Sequence, residues 1–398
     1  MVKKGTRKQA KKKVLTLFGT RPEMIKLAPV IRELEAQDRI FQTVNAASAQ
    51  HTDLLYPFAR LFDIRIDHDL GIMTANQTPN QICARILSAL DILLAREQPD
   101  LILVQGDTTT TLAGALAGFH WRLPVGHVEA GLRSGNLFSP YPEEMNRRLV
   151  SRLATYHFAA TPHNRETLLS EGILPENIFI TGNPVIDALE SIRQCFRKVP
   201  AVDALLAETS GLKRIVLTTH RRESFGPEMH GNLQVLRRFI EERKDVALLF
   251  PVHPNPEVRR QATEVLSGHR RIYLLSPLEY PEFIMLLSHA WLIVSDSGGV
   301  QEEAPTLGKP VLILRENTER PEAIGAGVAR LVGGAPEQLA AMLEEAYTPH
   351  SWVADMTARD NPFGKGDSGK RIVKIVATLL GVVDPDRVST SEARESML

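Results

Sequence analysis

Short apolar runs alternate with longer amphipathic segments along most of the chain. Apolar runs bounded by turn residues predict buried strands, and apolar residues at three- and four-residue spacing predict helices. In the first half the predicted strands are 14–18, 41–47, 101–104, 124–128, 156–160 and 178–181, and the predicted helices are 23–36, 53–62, 79–97 and 109–120. Strands without an exposed polar face, separated by helices, predict a parallel sheet.

The alternation stops at residues 192–210, which are polar and have no sustained period, and then restarts. Beyond it the predicted strands are 214–218, 246–251, 272–275, 291–295 and 310–314, and the predicted helices are 232–243, 281–288, 336–345 and 368–380. A chain of 398 residues exceeds what one hydrophobic core normally fills. We therefore expect two Rossmann-like parallel-sheet domains, 14–195 and 196–367, facing one another across a cleft.

The charge balance, the cysteine content and the lack of long apolar runs exclude several classes of protein. The 47 lysines and arginines balance the 47 aspartates and glutamates, so no overall field attracts nucleic acid or an anionic membrane. Only Cys83 and Cys195 are present, which argues against a disulfide framework or a structural zinc site. No apolar run approaches the ~20 residues that span a bilayer, and residues 3–13 form a basic segment without a signal-peptide apolar region. These features predict a soluble, cytoplasmic protein whose first thirteen residues are a disordered tail.

Acidic, basic and histidine side chains are concentrated in residues 126–135 and 142–147. A further carboxylate lies in residues 105–108, directly after the apolar run 101–104. Ligands of open α/β sheets bind where strands give way to loops. Several acids at one such place predict proton-transfer chemistry.

Two glycine turns have the pattern of anion sites. Residues 19–26 place a glycine and a proline at the start of a helix, with Arg21 and Lys26 nearby. In residues 294–304 the end of a strand is followed by a serine that can cap the next helix and by two adjacent glycines. An acid one turn later can accept from ribose hydroxyls. A histidine and two arginines at the end of another strand, in residues 218–223, also favour an anion.

Two other cofactor patterns are excluded. Residues 364–370 match the glycine and lysine spacing of a P-loop, but Arg371 occupies the serine or threonine position and no strand precedes the motif. Residues 19–21 lack the second and third glycines of a dinucleotide fingerprint. We therefore expect neither ATP hydrolysis nor bound NAD.

Six motifs together strongly resemble the bacterial, non-hydrolysing UDP-N-acetylglucosamine 2-epimerase family. They are GTRPE at 19–23, QGDTTTT at 105–111, GHVEAGLRSGN at 126–136, PEEMNRR at 142–148, THRRES at 219–224 and SDSGGVQEEAPTLGKP at 295–310. The resemblance implies the α/β fold called GT-B, with residues 368–398 supplying a helix that packs back on the first domain, followed by a tail. It also implies inversion at C2 of UDP-N-acetylglucosamine (UDP-GlcNAc) to give UDP-N-acetylmannosamine (UDP-ManNAc), through loss of UDP to a 2-acetamidoglucal and its return, without a cofactor or metal.

The same resemblance assigns roles to residues. The catalytic set matches Asp107, Glu129, Glu143 and His220, with the three acids moving protons and the histidine beside the diphosphate. The substrate-binding set is Arg21, Lys26, Ser297, Gly298, Gly299 and Glu303, to which we add Arg147 from its place in the helix that begins near Glu143. Of these, Arg147 is a partner for either phosphate or an acid. Some relatives bind a second substrate molecule as an activator, and Gln50 and Gln77 match that allosteric site, although Asp53 is shorter than the family's residue. Family members are often homodimers, which we expect here.

Three alternatives stay open. A hydrolysing relative would release free N-acetylmannosamine and UDP. A relative acting on a modified UDP-sugar, such as a diacetamido uronic acid, would share the motifs because few residues read the C3 and C6 substituents. A GT-B glycosyltransferase would share the nucleotide site but would require an acceptor and leave C2 unchanged.

Overall fold

A computed structural model of the chain describes residues 10–48, 52–74, 77–194, 200–219, 226–358 and 360–382. The chain divides into two compact units, with boundaries between Ala188 and Leu189 and between Phe363 and Gly364. The segment after the second boundary therefore belongs to the first unit.

The first unit contains a sheet whose strands are all parallel in the described part of the chain. Its strands are β1 (Lys12–Phe18), β2 (Phe41–Ala47), β3 (His68–Asp69), β4 (Leu101–Gln105), β5 (Val125–Ala130), β6 (Tyr156–Ala159) and β7 (Ile178–Ile180). Their order is β3-β2-β1-β4-β5-β6-β7. The central strands β4 and β5 are buried along their whole length, as expected for a sheet covered on both faces.

The second unit has the same plan with six strands in its described residues. They are β8 (Lys213–Thr218), β9 (Val246–Pro251), β10 (Ile272–Leu275), β11 (Leu292–Ser295), β12 (Val311–Ile313) and β13 (Ala329–Leu331). The order is β10-β9-β8-β11-β12-β13, again parallel. Both sheets are doubly wound, which confirms the predicted α/β class.

Helices connect the strands in both units. They are α1 (Arg21–Ala36), α2 (Thr52–Leu61), α3 (Pro79–Glu97), α4 (Thr109–His120), α5 (Glu143–Leu153), α6 (Pro162–Ser170), α7 (Pro184–Gln194), α8 (Pro200–Glu208), α9 (Pro227–Glu242), α10 (Pro256–Leu266), α11 (Tyr280–Ser288), α12 (Gly298–Thr306), α13 (Pro321–Gly325), α14 (Pro336–Tyr347) and α15 (Ser368–Leu379). The helix α8 lies inside the segment 192–210 for which no regular structure was predicted. Among the described residues, none of these helices has the length and apolar content required to cross a membrane.

The first strand begins two residues earlier than predicted, inside the predicted N-terminal tail. Strand β1 begins at Lys12, so the last two residues of the predicted tail belong to the sheet. Lys12 Nζ pairs with Asp100 at 2.8 Å, and Lys13 Nζ pairs with Glu97 at 3.2 Å. The remaining predicted tails, residues 1–9 and 383–398, lie outside the described residues.

The P-loop-like motif forms the start of α15, where it contacts the first unit. The backbone amides of Ser368 and Gly369 donate to the Asp187 carboxylate at 3.2 and 2.9 Å. A Cβ at Gly369 would lie 2.9 Å from the Pro29 carbonyl oxygen, so glycine is required for α15 to approach α1 this closely. The amides at this helix start are therefore used by an internal carboxylate.

Candidate active site

In both sheets the strand order reverses at the centre. The reversal lies between β1 and β4 in the first unit and between β8 and β11 in the second. Ligands of doubly wound sheets bind beyond the carboxyl ends of the strands at such a point. The predicted site residues of the first unit lie after β1, after β4, and at or after the end of β5, and those of the second unit come after β8 and β11.

Glu129 is a buried acid of the first unit in an unusual backbone conformation. It lies near the end of β5, is 6 % exposed, and has a φ of 65°, in the left-handed region that non-glycine residues rarely adopt. The β5–β6 register shifts at the same place, and irregularities of this kind are common next to active sites. The bulge therefore sets the direction of the Glu129 side chain.

Side chains from three separate elements donate to the Glu129 carboxylate. Lys26 Nζ and Asn183 Nδ2 donate to Oε1, the latter at 2.9 Å, and Gln105 Nε2 donates to Oε2. Lys26 is itself buried. A carboxylate held by an ammonium group and two amides has one fixed position, as proton transfer at a defined carbon requires.

Asp107 lies in the loop after β4 and is held by α5. Arg147 Nε and Nη2 contact Asp107 Oδ2 at 2.9 and 2.6 Å, and Asn146 Nδ2 donates to the Asp107 carbonyl oxygen at 2.8 Å. The structure thus makes Arg147 the partner of an acid. Glu143 begins the same helix and lies four residues before Arg147, so both belong to one helix face. The fold therefore places Glu143 on the side of α5 that holds Asp107.

The glycine turn after β1 differs from its predicted use. The Gly19 and Thr20 amides, which we expected to bind an anion, donate to Glu23 Oε2 at 2.9 and 2.7 Å. Glu23 Oε1 accepts from Thr108 and Thr111 at 2.7 and 3.0 Å. Burial raises the pKa of Glu23, and these hydrogen bonds oppose the rise. The turn is closed by its own capping carboxylate, which joins the start of α1 to that of α4.

The other predicted residues of the first unit are placed as follows. Arg21 is exposed, with its guanidinium carbon 5.2 Å from the centroid of the Phe58 ring. Gln77 uses its amide locally, since Nε2 donates to the Ile72 carbonyl and Oε1 accepts from Thr74 N, both at 2.9 Å. Gln50 lies outside the described residues. Allosteric binding at this place stays a prediction.

In the second unit the strand ends are joined at the reversal point. Thr219 Oγ1 donates to Asp296 Oδ2 at 2.9 Å, which links the end of β8 to the end of β11. His220 and the two arginines that follow it lie outside the described residues. Ser297 precedes α12 but, within the described residues, its hydroxyl makes no capping hydrogen bond, which corrects the predicted cap.

The two adjacent glycines at the start of α12 have different surroundings. A Cβ at Gly298 would lie 2.6 Å from Arg320 Nη1, so a guanidinium group supports the turn directly. A Cβ at Gly299 would meet its nearest described atom, Ser297 Oγ, at 3.9 Å. The backbone at Gly299 is therefore open to close approach by a ligand at the positive end of the helix dipole.

Glu303 lies one turn into α12, as predicted, and is 6 % exposed. Tyr280 Oη donates to Glu303 Oε1 at 2.7 Å. This buried hydroxyl sets the orientation of the carboxylate at the helix start.

Several residues that build the site were not predicted from the sequence. They are Glu23, Gln105, Asn183, Glu144 and Tyr280. Glu144 is fully buried and accepts from Ser134 N at 2.9 Å and from Arg147 Nη1 at 3.2 Å. It therefore fixes the Arg147 guanidinium, which in turn pairs with Asp107. Asn183 could have been found from its position, because a glycine, asparagine and proline follow directly on the run 178–181.

Comparison with known proteins gives one consistent result. A family model described as UDP-N-acetylglucosamine 2-epimerase matches residues 32–377. The UDP-N-acetylglucosamine 2-epimerase of Yersinia pestis is 46% identical over 367 residues, which cover 91% of this chain and 97% of the relative.

Solved structures match over the same extent. The UDP-GlcNAc 2-epimerase from Neisseria meningitidis bound to UDP-GlcNAc has a TM-score of 0.86 and 41% identity, covering 92% of this chain and 100% of its own. The S. aureus MnaA–UDP complex has a TM-score of 0.86 and 38% identity, covering 94% and 98%. These matches, with the two doubly wound sheets, confirm the predicted GT-B fold class.

Proposed function

This chain belongs to the UDP-N-acetylglucosamine 2-epimerase family, and from that premise we propose that it interconverts UDP-GlcNAc and UDP-ManNAc without hydrolysis. It is an epimerase, and therefore an isomerase. The observation that carries the proposal is the pair of acids with fixed cations, Glu129 with Lys26 and Asp107 with Arg147, at the strand reversal of the first unit. A relative of the same fold binds UDP-GlcNAc.

The reaction requires elimination followed by addition. A carboxylate removes the C2 proton, the electrons of the C2–H bond form the C1=C2 double bond, and the C1–O bond breaks with its electron pair leaving on UDP. The intermediate is a 2-acetamidoglucal. Re-addition of UDP at C1 accompanies delivery of a proton to the opposite face of C2. One carboxylate cannot reach both faces, so at least two acids take part.

We assign the proton transfers to Asp107, Glu129 and Glu143, without choosing which acid serves which face. The fixed positions of the first two support this assignment. We assign His220 to the diphosphate, with Arg21. We also assign Lys26 to the diphosphate, and its ammonium group donates to the Glu129 carboxylate.

The leaving group requires a site for negative charge. Backbone amides and the positive end of the α12 dipole at Ser297, Gly298 and Gly299 provide one. The open backbone at Gly299 supports this assignment. Glu303 would then accept from the ribose hydroxyls. Closure around the substrate would keep water from the glucal intermediate.

Tyr280 gives a test of the ribose assignment. In a Tyr280→Phe variant Glu303 loses the hydroxyl that orients it, so we expect the Kd for UDP to rise about tenfold, as for loss of one hydrogen bond to a charged group. Isothermal titration calorimetry with UDP and with 2′,3′-dideoxy-UDP measures this. The dideoxy compound should bind the parent and the variant equally. Equal weakening of both ligands would show that Tyr280 does not act through the ribose.

The activity is tested by incubating the purified chain separately with UDP-GlcNAc and UDP-ManNAc and separating the products by ion-pair chromatography. We expect both incubations to reach the same ratio of the two nucleotide sugars. Accumulation of UDP and free N-acetylmannosamine would indicate a hydrolysing enzyme. Unchanged substrates with folded protein would refute this activity and favour a modified sugar or a transferase.

We further propose that the chain is a cytoplasmic homodimer. Ile92 on α3 and Phe119 on α4 are 75 % and 60 % exposed, and the two helices are joined by the hydrogen bond from Trp121 Nε1 to Asp91 at 2.8 Å. Exposed apolar residues on adjacent helices support self-association. The low cysteine content supports a reducing compartment. A monomer at micromolar concentration in sedimentation velocity would contradict the dimer.

A further inference from the structure

The loop that carries Asp107 is anchored to β5 through Gly106. Gly106 N donates to the Val128 carbonyl oxygen at 3.1 Å, and the Gly106 carbonyl oxygen accepts from His127 Nε2 at 2.8 Å. Gly106 has a φ of +76°, a conformation that glycine adopts without strain. One main-chain and one side-chain hydrogen bond therefore fix the peptide units directly before Asp107.

The other side of the loop is held by α5. Asn146 fixes the Asp107 carbonyl and Arg147 fixes its carboxylate. His127 supplies the corresponding side-chain contact from the sheet, since its ring is buried beneath the loop at 1 % exposure. We propose that His127 is a positioning residue for the epimerase reaction, which holds the Gly106 carbonyl and thereby the Asp107 carboxylate in its productive place.

The hydrogen bond to the Gly106 carbonyl determines which nitrogen of the His127 ring carries a proton. A carbonyl oxygen only accepts, so Nε2 of His127 carries a proton. Within the described residues Nδ1 is buried and has no hydrogen-bond partner, so no contact favours a second proton. Burial lowers the pKa of His127 to about 4, and the charge of Arg133 lowers this pKa further. The Gly106 carbonyl, Glu129 and Asp107 act in the opposite direction. His157 on β6 lies beside His127 in register. The ring is therefore neutral at neutral pH and acts as a fixed donor.

His157 provides a matched control. It is also 1 % exposed, it pairs in register with His127 on the neighbouring strand, and burial lowers its pKa to about 3. Its hydrogen bond goes to the backbone of Ala154, away from the loop that carries Asp107. If His127 acted in packing alone, replacing either histidine would change kcat to the same extent. If His127 positions Asp107, only its replacement lowers kcat strongly.

The inference rests on the proposed function, because kcat for UDP-GlcNAc is the measured quantity. In His127→Phe the ring volume is nearly kept but the donor is lost, and we expect kcat to fall about 100-fold, as for a misplaced catalytic group. KM and the Kd for UDP should stay within about threefold of the parent, since nucleotide contacts are unchanged. His157→Phe should keep kcat within about threefold while losing similar thermal stability.

Two further variants keep the test valid where the phenylalanine variant fails to fold. The glutamine amide of His127→Gln reaches about as far as Nε2 and can donate to Gly106, whereas the shorter amide of His127→Asn cannot. We expect His127→Gln to retain at least about ten times the kcat of His127→Asn, by the same positioning argument.

The possible outcomes distinguish the positioning role of His127 from the proposed epimerase function. An active parent whose His127→Phe or His127→Asn variant keeps full kcat would overturn the positioning role. Equal losses of kcat in the His127 and His157 phenylalanine variants would also overturn it. A folded parent that does not turn over UDP-GlcNAc would instead refute the proposed function.

Discussion

Replacing Glu129 with glutamine is expected to lower kcat by roughly 10²–10⁴-fold, the usual contribution of a general acid or base. Glutamine keeps the shape of the side chain and can still accept from Asn183 or Gln105, but it can neither take up nor release the C2 proton. The buried Lys26 loses its anionic partner in this variant, so UDP affinity and melting temperature are measured together with kcat.

The same argument applies to Asp107→Asn and Glu143→Gln, which should also lose turnover while retaining UDP binding. Asp100→Asn is the matched control, because this carboxylate pairs with Lys12 just before β4, at the opposite end of the sheet. Its kcat should equal that of the parent. A Glu129→Gln enzyme with near-parent kcat would remove Glu129 from the proton-transfer residues.

The second large effect concerns stability of the second unit. Arg320 is buried between two carboxylates, with Nε 2.6 Å from Glu302 Oε1 and Nη1 2.5 Å from Glu319 Oε1. Glu319 also pairs with Arg315 at 2.8 Å. Arg320→Met leaves Glu302 without this cation in a buried place, which should destabilise the unit by about 3–5 kcal/mol. We expect the melting temperature of that unit to fall by roughly 10 °C in scanning calorimetry.

Arg260→Met is the control for this prediction. Arg260 also pairs with two carboxylates, Glu257 at 2.6 Å and Glu264 at 2.9 Å, but it is 60% exposed. Exposed pairs of this kind contribute little to stability, so its melting temperature should match that of the parent. A melting temperature of Arg320→Met that also matches the parent would show that the buried network does not stabilise the unit.

The strands could be predicted from sequence because their signal is local. A run such as Leu101–Gln105 is buried on both faces, so its apolar residues are contiguous and its end is marked by the first polar residues. The site motifs could be located for the same reason, since Asp107 and Glu129 follow such ends. Short elements lacked this signal: β3 has two residues, β13 has three, and α8 has only nine.

The partners of the site residues could not be predicted, because they depend on contacts between distant segments. Lys26 was assigned to phosphate by proximity to a glycine turn, yet its ammonium group pairs with Glu129, 103 residues away. The amides of that turn were assigned to an anion, yet Glu23, three and four residues further on, occupies them. A carboxylate in the chain satisfies the same donors as a ligand would, and only the fold decides between them.

The central claim is that the C2–H bond breaks during the interconversion. Proton NMR of UDP-GlcNAc incubated with the enzyme in heavy water tests it directly, because the spectrum shows the C2 position and the glycosyl bond together. The account predicts UDP-ManNAc carrying deuterium at C2, with no accumulation of free sugar. Product that keeps protium at C2, or substrate that stays unchanged with folded enzyme, would contradict it.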